Sequence, residues 1–177
     1  KSKPIGIDIE NHKDRDKKII FKKTDAINFF KLNNKSFDLI LIKQTIHLLK
    51  TSEIKDLIKL CKNSLSPKGQ IFIFTLDPYK NEIPTFKKMN DKLQESLSRD
   101  KKIVNLIMDT NKSIIKNFIY KVKIKKQKYL KMVKDRYIST LLDFTLKNIQ
   151  IGCEEIKLKF KNEIKFNDKL KCIIIKK

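Results

Sequence analysis

The fold of this chain is decided by residues 36–74, which read SFDLILIKQTIHLLKTSEIKDLIKLCKNSLSPKGQIFIF. The stretch begins with an apolar run at 37–42, which breaks into the polar residues Lys43, Gln44 and His47 without a glycine or a proline. An amphipathic segment follows, and a second apolar run closes the stretch. Short apolar runs bounded by polar residues are typical of strands buried on both faces. The stretch therefore predicts a strand, a helix and a parallel strand joined by a right-handed crossover.

The helix predicted in the middle of this stretch is amphipathic. Ser52 is placed to cap its N-terminus, and Glu53 suits the positive end of the helix dipole. Its apolar residues recur at helical spacing, at Ile54, Leu57, Ile58, Cys61 and Leu65. Residues 66–69, Ser-Pro-Lys-Gly, have the composition of a β-turn. We therefore expect a turn there, followed by a buried strand at 71–76.

The remaining strands and helices surround this unit. Short apolar strands are predicted at 5–9 and 19–22, and the polar segment 11–18 between them has room for at most two helical turns. Beyond residue 84 the pattern is mostly helical, apart from an alternating strand at 120–124 and a closing strand at 171–175. The whole pattern predicts an α/β fold: a Rossmann-like, mostly parallel sheet with flanking helices and a helical insert before the last strand.

The chain is strongly basic, with 42 Lys+Arg against 20 Asp+Glu in 177 residues and a formal net charge of +22. Such a charge attracts nucleic acid or anionic substrates. A codon bias toward Lys, Ile and Asn gives the same composition, and two features favour this second explanation. No block of five or six basic residues occurs. Arginine, which reads phosphates and bases bidentately, occurs at Arg15, Arg99 and Arg136 alone.

The three cysteines, Cys61, Cys153 and Cys172, lie far apart in apolar patterns. Their spacing matches no metal site and their odd number argues against a disulfide framework, so we expect small core residues in a reducing compartment. No apolar run reaches the length of a membrane span. These features predict a cytoplasmic protein without a metal and without a membrane segment.

Candidate binding residues follow from one rule of open parallel sheets, namely that ligands bind outside the carboxyl ends of the strands. Asp8 ends the first predicted strand, Asp25 follows the second, and Lys43 and Gln44 follow the third. A carboxylate has two oxygens and can accept bonds from both hydroxyls of a ribose. An aspartate just before a helix is also a common N-cap, so capping is an alternative role for Asp25.

Four segments in this order resemble the class I S-adenosylmethionine-dependent methyltransferases, in particular type-11-like domains: IGIDIE, KKTDAINF, SFDLILIKQTIHLL and LIKLCKNSLSPKGQIFIF. The resemblance covers about the first 80 residues. The later segment KYLKMVKDRYISTLLDF is similar to the insert that precedes the last strand in small-molecule members of that family. The resemblance implies one methyltransferase domain over 1–177, a cofactor-binding half at 1–80 and a helical lid at 126–160.

The resemblance also implies residue roles. S-adenosylmethionine is the expected cofactor; its ribose is bound at Asp8 and Ile9 and its adenine at Asp25 and Ala26. Its methionine part passes over Ile42, Lys43 and Gln44. His47 falls near the reacting end and is a weak catalytic candidate, with a packed core histidine as its alternative. On the predicted helix at 128–142, Tyr129, Arg136 and Tyr137 are expected on one face as substrate contacts, although the tyrosines could equally pack as core.

The chain departs from the family pattern in one respect. The family's first strand and its glycine-rich loop have no counterpart, since the three glycines, Gly6, Gly69 and Gly152, form no such loop. We therefore expect a sheet that lacks its first strand, as in an N-terminally truncated fragment. The expected function is methyl transfer to a small-molecule acceptor. The alternatives are an RNA-directed methyltransferase or nucleic-acid binder, and a catalytically inactive scaffold.

Overall fold

A computed structural model describes residues 3–11 and 16–177. Its strands are β1 (Ile5–Asp8), β2 (Ile20–Lys23), β3 (Phe37–Lys43), β4 (Leu65–Leu76), β5 (Ser113–Lys125) and β6 (Glu163–Lys176). Its helices are α1 (Ala26–Leu32), α2 (Thr51–Asn63), α3 (Lys87–Thr110), α4 (Lys126–Lys134) and α5 (Leu146–Lys159). The first 3₁₀ turn is Ile46–Leu48 and the second is Ser139–Leu141. The predicted helical turns at 11–18 fall largely on residues 12–15, outside the described residues.

The strands form two sheets. β1 and β2 pair in parallel, and the larger sheet has the order β3-β4-β6-β5. β3 and β4 are parallel, whereas β6 runs antiparallel to both β4 and β5. Within the described residues no ladder joins β1 to β3. The predicted α/β architecture, a Rossmann-like sheet with a helical insert before the last strand, is confirmed.

Helices α1, α2 and α3 cover one face of the sheet. Their buried residues include Phe30, Leu57 and Ile107, which pack with Ile73 of β4 and Ile173 of β6 in one apolar cluster. These strand residues face the helices because successive side chains on a strand point to opposite sides. On the opposite face, Leu39 and Leu41 of β3 are more than half exposed.

The insert stands beyond the carboxyl end of β4. This strand ends at Leu76, opposite Leu170, whereas the antiparallel pair of β5 and β6 continues to Lys125 opposite Glu163. The extended hairpin therefore projects past the edge where β3 and β4 end. Helices α4 and α5 lie at its tip, with a second apolar cluster of their own that includes Tyr129 and Phe86.

Three local predictions are wrong, and each has a physical reason. Residues 66–69 do not form a turn, because β4 begins at Leu65 and carries an irregularity there: Phe37 pairs with Leu65 but Leu39 with Gln70. A proline is tolerated at such a bulge. Gly69 is needed for close approach, since a Cβ there would lie 2.7 Å from the carbonyl oxygen of Phe37.

The helix start and the insert helix also differ from the prediction. Helix α2 begins two residues earlier than predicted, with its N-cap at Lys50 instead of Ser52, and the N–H of Lys50 donates to the carboxylate of Glu53 at 2.7 Å. Helix α4 ends at Lys134 instead of continuing to residue 142. Arg136 adopts a left-handed φ of 52° just beyond it, and the N–H of Tyr137 bonds back to Met132 O at 3.1 Å. This is a Schellman termination.

Candidate functional site

The two predicted nucleoside-binding acids lie at the carboxyl ends of adjacent parallel strands. Asp8 is the last residue of β1 and pairs with Lys23, the last residue of β2. The N–H of Thr24 donates to the carbonyl oxygen of Asp8 at 3.0 Å, and Asp25 follows directly. The parallel pairing of β1 and β2 thus brings both acids to one edge of the sheet. Ile9, next in the chain, is well exposed there.

Both carboxylates already accept bonds from nearby backbone. Asp25 is the N-cap of α1: its Oδ1 accepts from the N–H of Asn28 at 2.9 Å and its Oδ2 from the Asn28 side-chain amide at 2.6 Å. The backbone N–H of Asn28 is the main cause of the lowered pKa of Asp25. Asp8 Oδ1 accepts from the N–H of Glu10 at 2.9 Å. An ionised carboxylate has about four acceptor positions, so one carboxylate can accept bonds from the backbone and from a ligand at the same time.

The end of β3 shows local backbone strain. Lys43 is the last residue of the strand, and Gln44 after it has a left-handed φ of 53° although it is not glycine. The N–H of Gln44 donates to the carbonyl oxygen of Phe74 at 2.8 Å, which ties this conformation to β4. Strained positions of this kind concentrate at functional sites. Ile42, two residues earlier, is partly buried against the helix-covered side of the sheet.

His47 lies in the first 3₁₀ turn, directly downstream of β3. Its Nε2 is 3.4 Å from the Oγ of Ser139, which begins the second 3₁₀ turn in the insert. Burial lowers the pKa of His47, the carboxylate of Asp100 raises it, and Arg99 lowers it further. The net direction is downward, so the ring is neutral at neutral pH. His47, predicted as a site residue, is therefore close to the insert, and charged residues of α3 affect the pKa of its ring.

The insert residues predicted as substrate contacts are engaged within the protein. Tyr129 is 1% exposed, and its hydroxyl donates to Pro84 O at 2.6 Å and lies 2.8 Å from the Tyr137 hydroxyl. Burial raises the pKa of Tyr137 to about 12. Arg136 donates to the carbonyl oxygens of Leu141 at 3.2 Å and Phe144 at 2.6 Å. These contacts favour packing and chain-tethering roles for the three residues.

The structure adds two acids that the sequence patterns did not single out. Asp100 is buried in the middle of α3, and its carboxylate raises the pKa of His47 against the larger effect of burial. Burial raises the pKa of Asp168 in β6 and the charge of Lys43 lowers it. The charge of Asp168 in turn helps to raise the pKa of Tyr137. The one available sequence signal was an acidic residue inside an otherwise helical or alternating pattern, and this signal is weak because exposed acids are common there.

Other site types receive no support from the described residues. Over 3–11 and 16–177, no group of three potential metal ligands occurs, and no helix is long and apolar enough to span a membrane. The three cysteines are free and buried, as predicted, and burial raises the pKa of Cys61 to about 12.

An open groove of about 400 Å³ between α4 and α5 is lined largely by lysines: Lys126, Lys131, Lys134 and Lys157.

The chain is similar in structure to known methyltransferases. It matches a SAM-dependent methyltransferase from Archaeoglobus fulgidus with a TM-score of 0.50 and 19% identity, over 98% of this chain and 75% of that one. It matches a protein described as a methyltransferase from an antibiotic biosynthesis pathway of Anabaena variabilis with a TM-score of 0.62 and 14% identity, over 91% of this chain and 74% of that one. No protein-family model and no curated protein matches the sequence. The fold is that of the class I methyltransferases.

Proposed function

We propose that this chain is an S-adenosylmethionine-dependent methyltransferase acting on a small-molecule acceptor. The observation that carries the proposal is the placement of Asp8 and Asp25 at the tips of adjacent parallel strands, in a chain with the methyltransferase fold. In open α/β sheets ligands bind at this edge. Asp8 ends one strand, and Asp25 lies two positions beyond the end of the neighbouring strand. Two carboxylates placed in this way suit a nucleoside, which offers ribose hydroxyls and an adenine amino group as donors.

The residues present fit the adenosine part of the cofactor. In the proposed arrangement, Asp8 and Ile9 hold the ribose, and Asp25 and Ala26 hold the adenine. In the same arrangement Ile42, Lys43 and Gln44 lie under the methionine part, and Gln44 has a left-handed φ of 53° there. The three glycines lie in β1, β4 and α5, so no glycine-rich loop adds backbone contacts. The cofactor supplies an electrophilic methyl group, and the protein supplies orientation and a dry site.

The insert at 126–160 is the proposed lid over the acceptor. Its second 3₁₀ turn reaches His47 at the carboxyl end of β3, and its helices stand beyond the carboxyl end of β4. A lid of this kind excludes water and selects the acceptor by shape. In this proposal residues 1–80 bind the cofactor, and the insert with β6 forms the acceptor wall.

Calorimetric titration with S-adenosylhomocysteine tests the cofactor site. Asp8→Ala is expected to weaken binding about 10- to 100-fold, since a hydrogen bond to a charged group contributes roughly 1.5–3 kcal/mol. Asp16→Ala is the matched control, because Asp16 Oδ1 also accepts from the N–H two residues on, at 2.8 Å, but lies outside the proposed site. The proposal is wrong if the wild-type protein does not bind, or if both substitutions weaken binding equally.

A nucleic-acid substrate is the second candidate, favoured by the net charge of +22 and the lysine-lined groove between α4 and α5. Lysine contacts to the phosphate backbone of RNA release counterions, so the RNA affinity of the groove would fall steeply as the salt concentration rises. Lys131→Gln and Lys134→Gln are each expected to remove about one phosphate contact, and so to reduce the dependence of RNA affinity on salt by the corresponding amount. No measurable RNA affinity at moderate salt would remove this candidate. An inactive scaffold would bind the cofactor and transfer no methyl group to any acceptor.

A further inference from the structure

The groove between α4 and α5 concentrates positive charge. The residues that line it are Lys126, Gln127, Leu130, Lys131, Lys134, Asp135 and Lys157. Lysines are in the majority and come from both helices, whereas the acid among them, Asp135, stands at the C-terminal end of α4. A codon bias toward lysine spreads these residues along the chain, and it does not by itself gather them from two helices around one groove.

Most of this charge is not neutralised within the protein. Lys157 forms an ion pair with Glu154 at 2.7 Å. Over residues 3–11 and 16–177, no ion pair joins Lys126, Lys131 or Lys134 to a carboxylate. Lys131 and Lys134 are three positions apart on α4, so they are neighbours on the helix surface, where like charges repel. An anion bound between them relieves this repulsion.

The lysines of the two helices act on a shared region. Burial raises the pKa of Cys153 in α5, and the charges of Lys134 and Lys157 both lower it. Lys134 and Lys157 therefore act on one buried side chain from the two helices that flank the groove. Leu130, which also lines the groove, is 7% exposed and forms an apolar base between the charged side chains.

We propose that this groove is a binding site for a small ligand that carries two or more linked phosphate groups. Each lysine ammonium group has three donors, and its hydrogen bonds to phosphate oxygens are strengthened by charge. Lys131 and Lys134 lie about one helical turn apart, so two phosphate groups of one ligand can each contact a lysine. The groove volume of about 400 Å³ lies within the range of small-molecule sites.

This site goes beyond the proposed methyl transfer. The residues that line the groove include none of those proposed to hold S-adenosylmethionine, which lie at the carboxyl ends of β1, β2 and β3. The ligand is recognised by its phosphate groups, so the site is independent of the identity of the methyl acceptor. The second candidate function, in which RNA occupies the same groove, is a competing outcome of the experiment below.

Calorimetric titration of the whole chain with inorganic tripolyphosphate at low ionic strength tests the site. The double variant Lys131→Gln/Lys134→Gln is expected to weaken binding about 10-fold or more, because it removes two charge-assisted contacts. Lys55→Gln/Lys59→Gln is the matched control, since it removes the same charge from exposed positions of α2. The control is expected to change the affinity less than about 2-fold, because solvent and salt screen distant surface charges. The proposal is overturned if tripolyphosphate does not bind, or if both double variants weaken its binding equally.

Two further measurements separate the proposal from its alternatives. Lys131→Arg/Lys134→Arg keeps both charges and is expected to bind tripolyphosphate nearly as well as the wild type, and a loss as large as that in the glutamine variant overturns recognition by charge. Fluorescence anisotropy with a labelled single-stranded RNA of about 12 nucleotides tests the source of the phosphates. If the RNA binds through Lys131 and Lys134 and tripolyphosphate does not compete, the groove is an RNA site and the proposal is wrong.

Failure of this proposal is distinguishable from failure of the proposed function. The affinity of Lys131→Gln/Lys134→Gln for S-adenosylhomocysteine is expected to equal that of the wild type, and a comparable loss for both ligands would overturn the separation of the two sites. A wild-type protein that binds tripolyphosphate but not S-adenosylhomocysteine supports the groove and contradicts the methyltransferase function.

Discussion

Gly152 in α5 allows the insert to pack against the start of α3, and its replacement by alanine should destabilise the protein. A Cβ at this position would lie 2.5 Å from Cγ and Cδ1 of Phe86, well inside van der Waals contact. The Phe86 ring is 1% exposed and packs against the ring of Phe144 at a centroid distance of 5.6 Å. The ring therefore has no free space to move into, and the backbones of α3 and α5 have to separate.

Two opposing free energies set the size of this effect. Replacing a mid-helix glycine by alanine contributes about 1 kcal/mol of helix stability. Overpacking a filled core costs about 1–3 kcal/mol, and a 2.5 Å contact with a buried ring lies toward the upper end. We expect Gly152→Ala to lower the free energy of unfolding by about 1–2 kcal/mol. Urea denaturation followed by circular dichroism measures it as a lower midpoint at unchanged slope.

A double-mutant cycle separates the clash from other causes. Once Phe86→Ala has removed the ring, the same Gly152→Ala change should become stabilising by up to about 1 kcal/mol, because helix propensity is the one effect that remains. Gln150→Ala, at an exposed position of the same helix, controls for changes in α5 alone and should be nearly neutral. The packing argument would be refuted if Gly152→Ala stabilised the otherwise wild-type protein. It would also be refuted if the effect of Gly152→Ala on the free energy of unfolding kept the same sign in the Phe86→Ala background.

Three further outcomes are expected. Arg136→Gly relieves the left-handed φ of 52° but removes the bonds to Leu141 O and Phe144 O; limited proteolysis should cut the segment after α4 faster in it than in Arg136→Lys, and equal rates would contradict the tethering role. Asp25→Ala should cost about 1 kcal/mol through loss of the α1 cap, and Asp25→Asn much less; equal losses in urea denaturation would show that the cap is unimportant. Burial raises the pKa of Asp100, so its favourable contribution is present below the unfolded value of 3.8 and is lost as pH rises through the folded value. Asp100→Asn should therefore gain stability relative to wild type as pH rises from 3 to 7, and a constant difference would contradict the assigned burial.

The strand ends could be predicted from the sequence because they depend on local patterns. The apolar run at 37–42 and the polar break at Lys43 mark the end of a buried strand in any parallel sheet, and the aspartate before α1 marks a helix start. Asp8 and Asp25 were found in this way, and the structure places them at neighbouring strand tips. Their cofactor roles remain a prediction. The helix cap and the proposed adenine contact both use the carboxylate of Asp25. No local sequence pattern shows how its acceptor positions are divided between the two.

Features that depend on contacts between distant parts of the chain were decided by the tertiary structure. Residues 66–69 have turn composition, yet they form a bulge within β4, because the ladder with β3 holds the chain on both sides of them, at Leu65 and at Gln70. The helical pattern at 128–142 stops at Lys134 because Arg136 finds carbonyl partners in the loop that follows. Ser139 reaches His47 across 92 positions of chain.

The amino-acid sequence by itself determined the order of strands and helices and the acids at the strand ends, because hydrophobic periodicity and capping act over a few residues. Only the folded chain decided which side chains meet at the carboxyl edge. The antiparallel β5–β6 hairpin runs past the end of β4 and sets the insert over that edge. The burial that follows, and with it the shifted pKa values of His47 and Asp100, depends on packing between segments far apart in the chain.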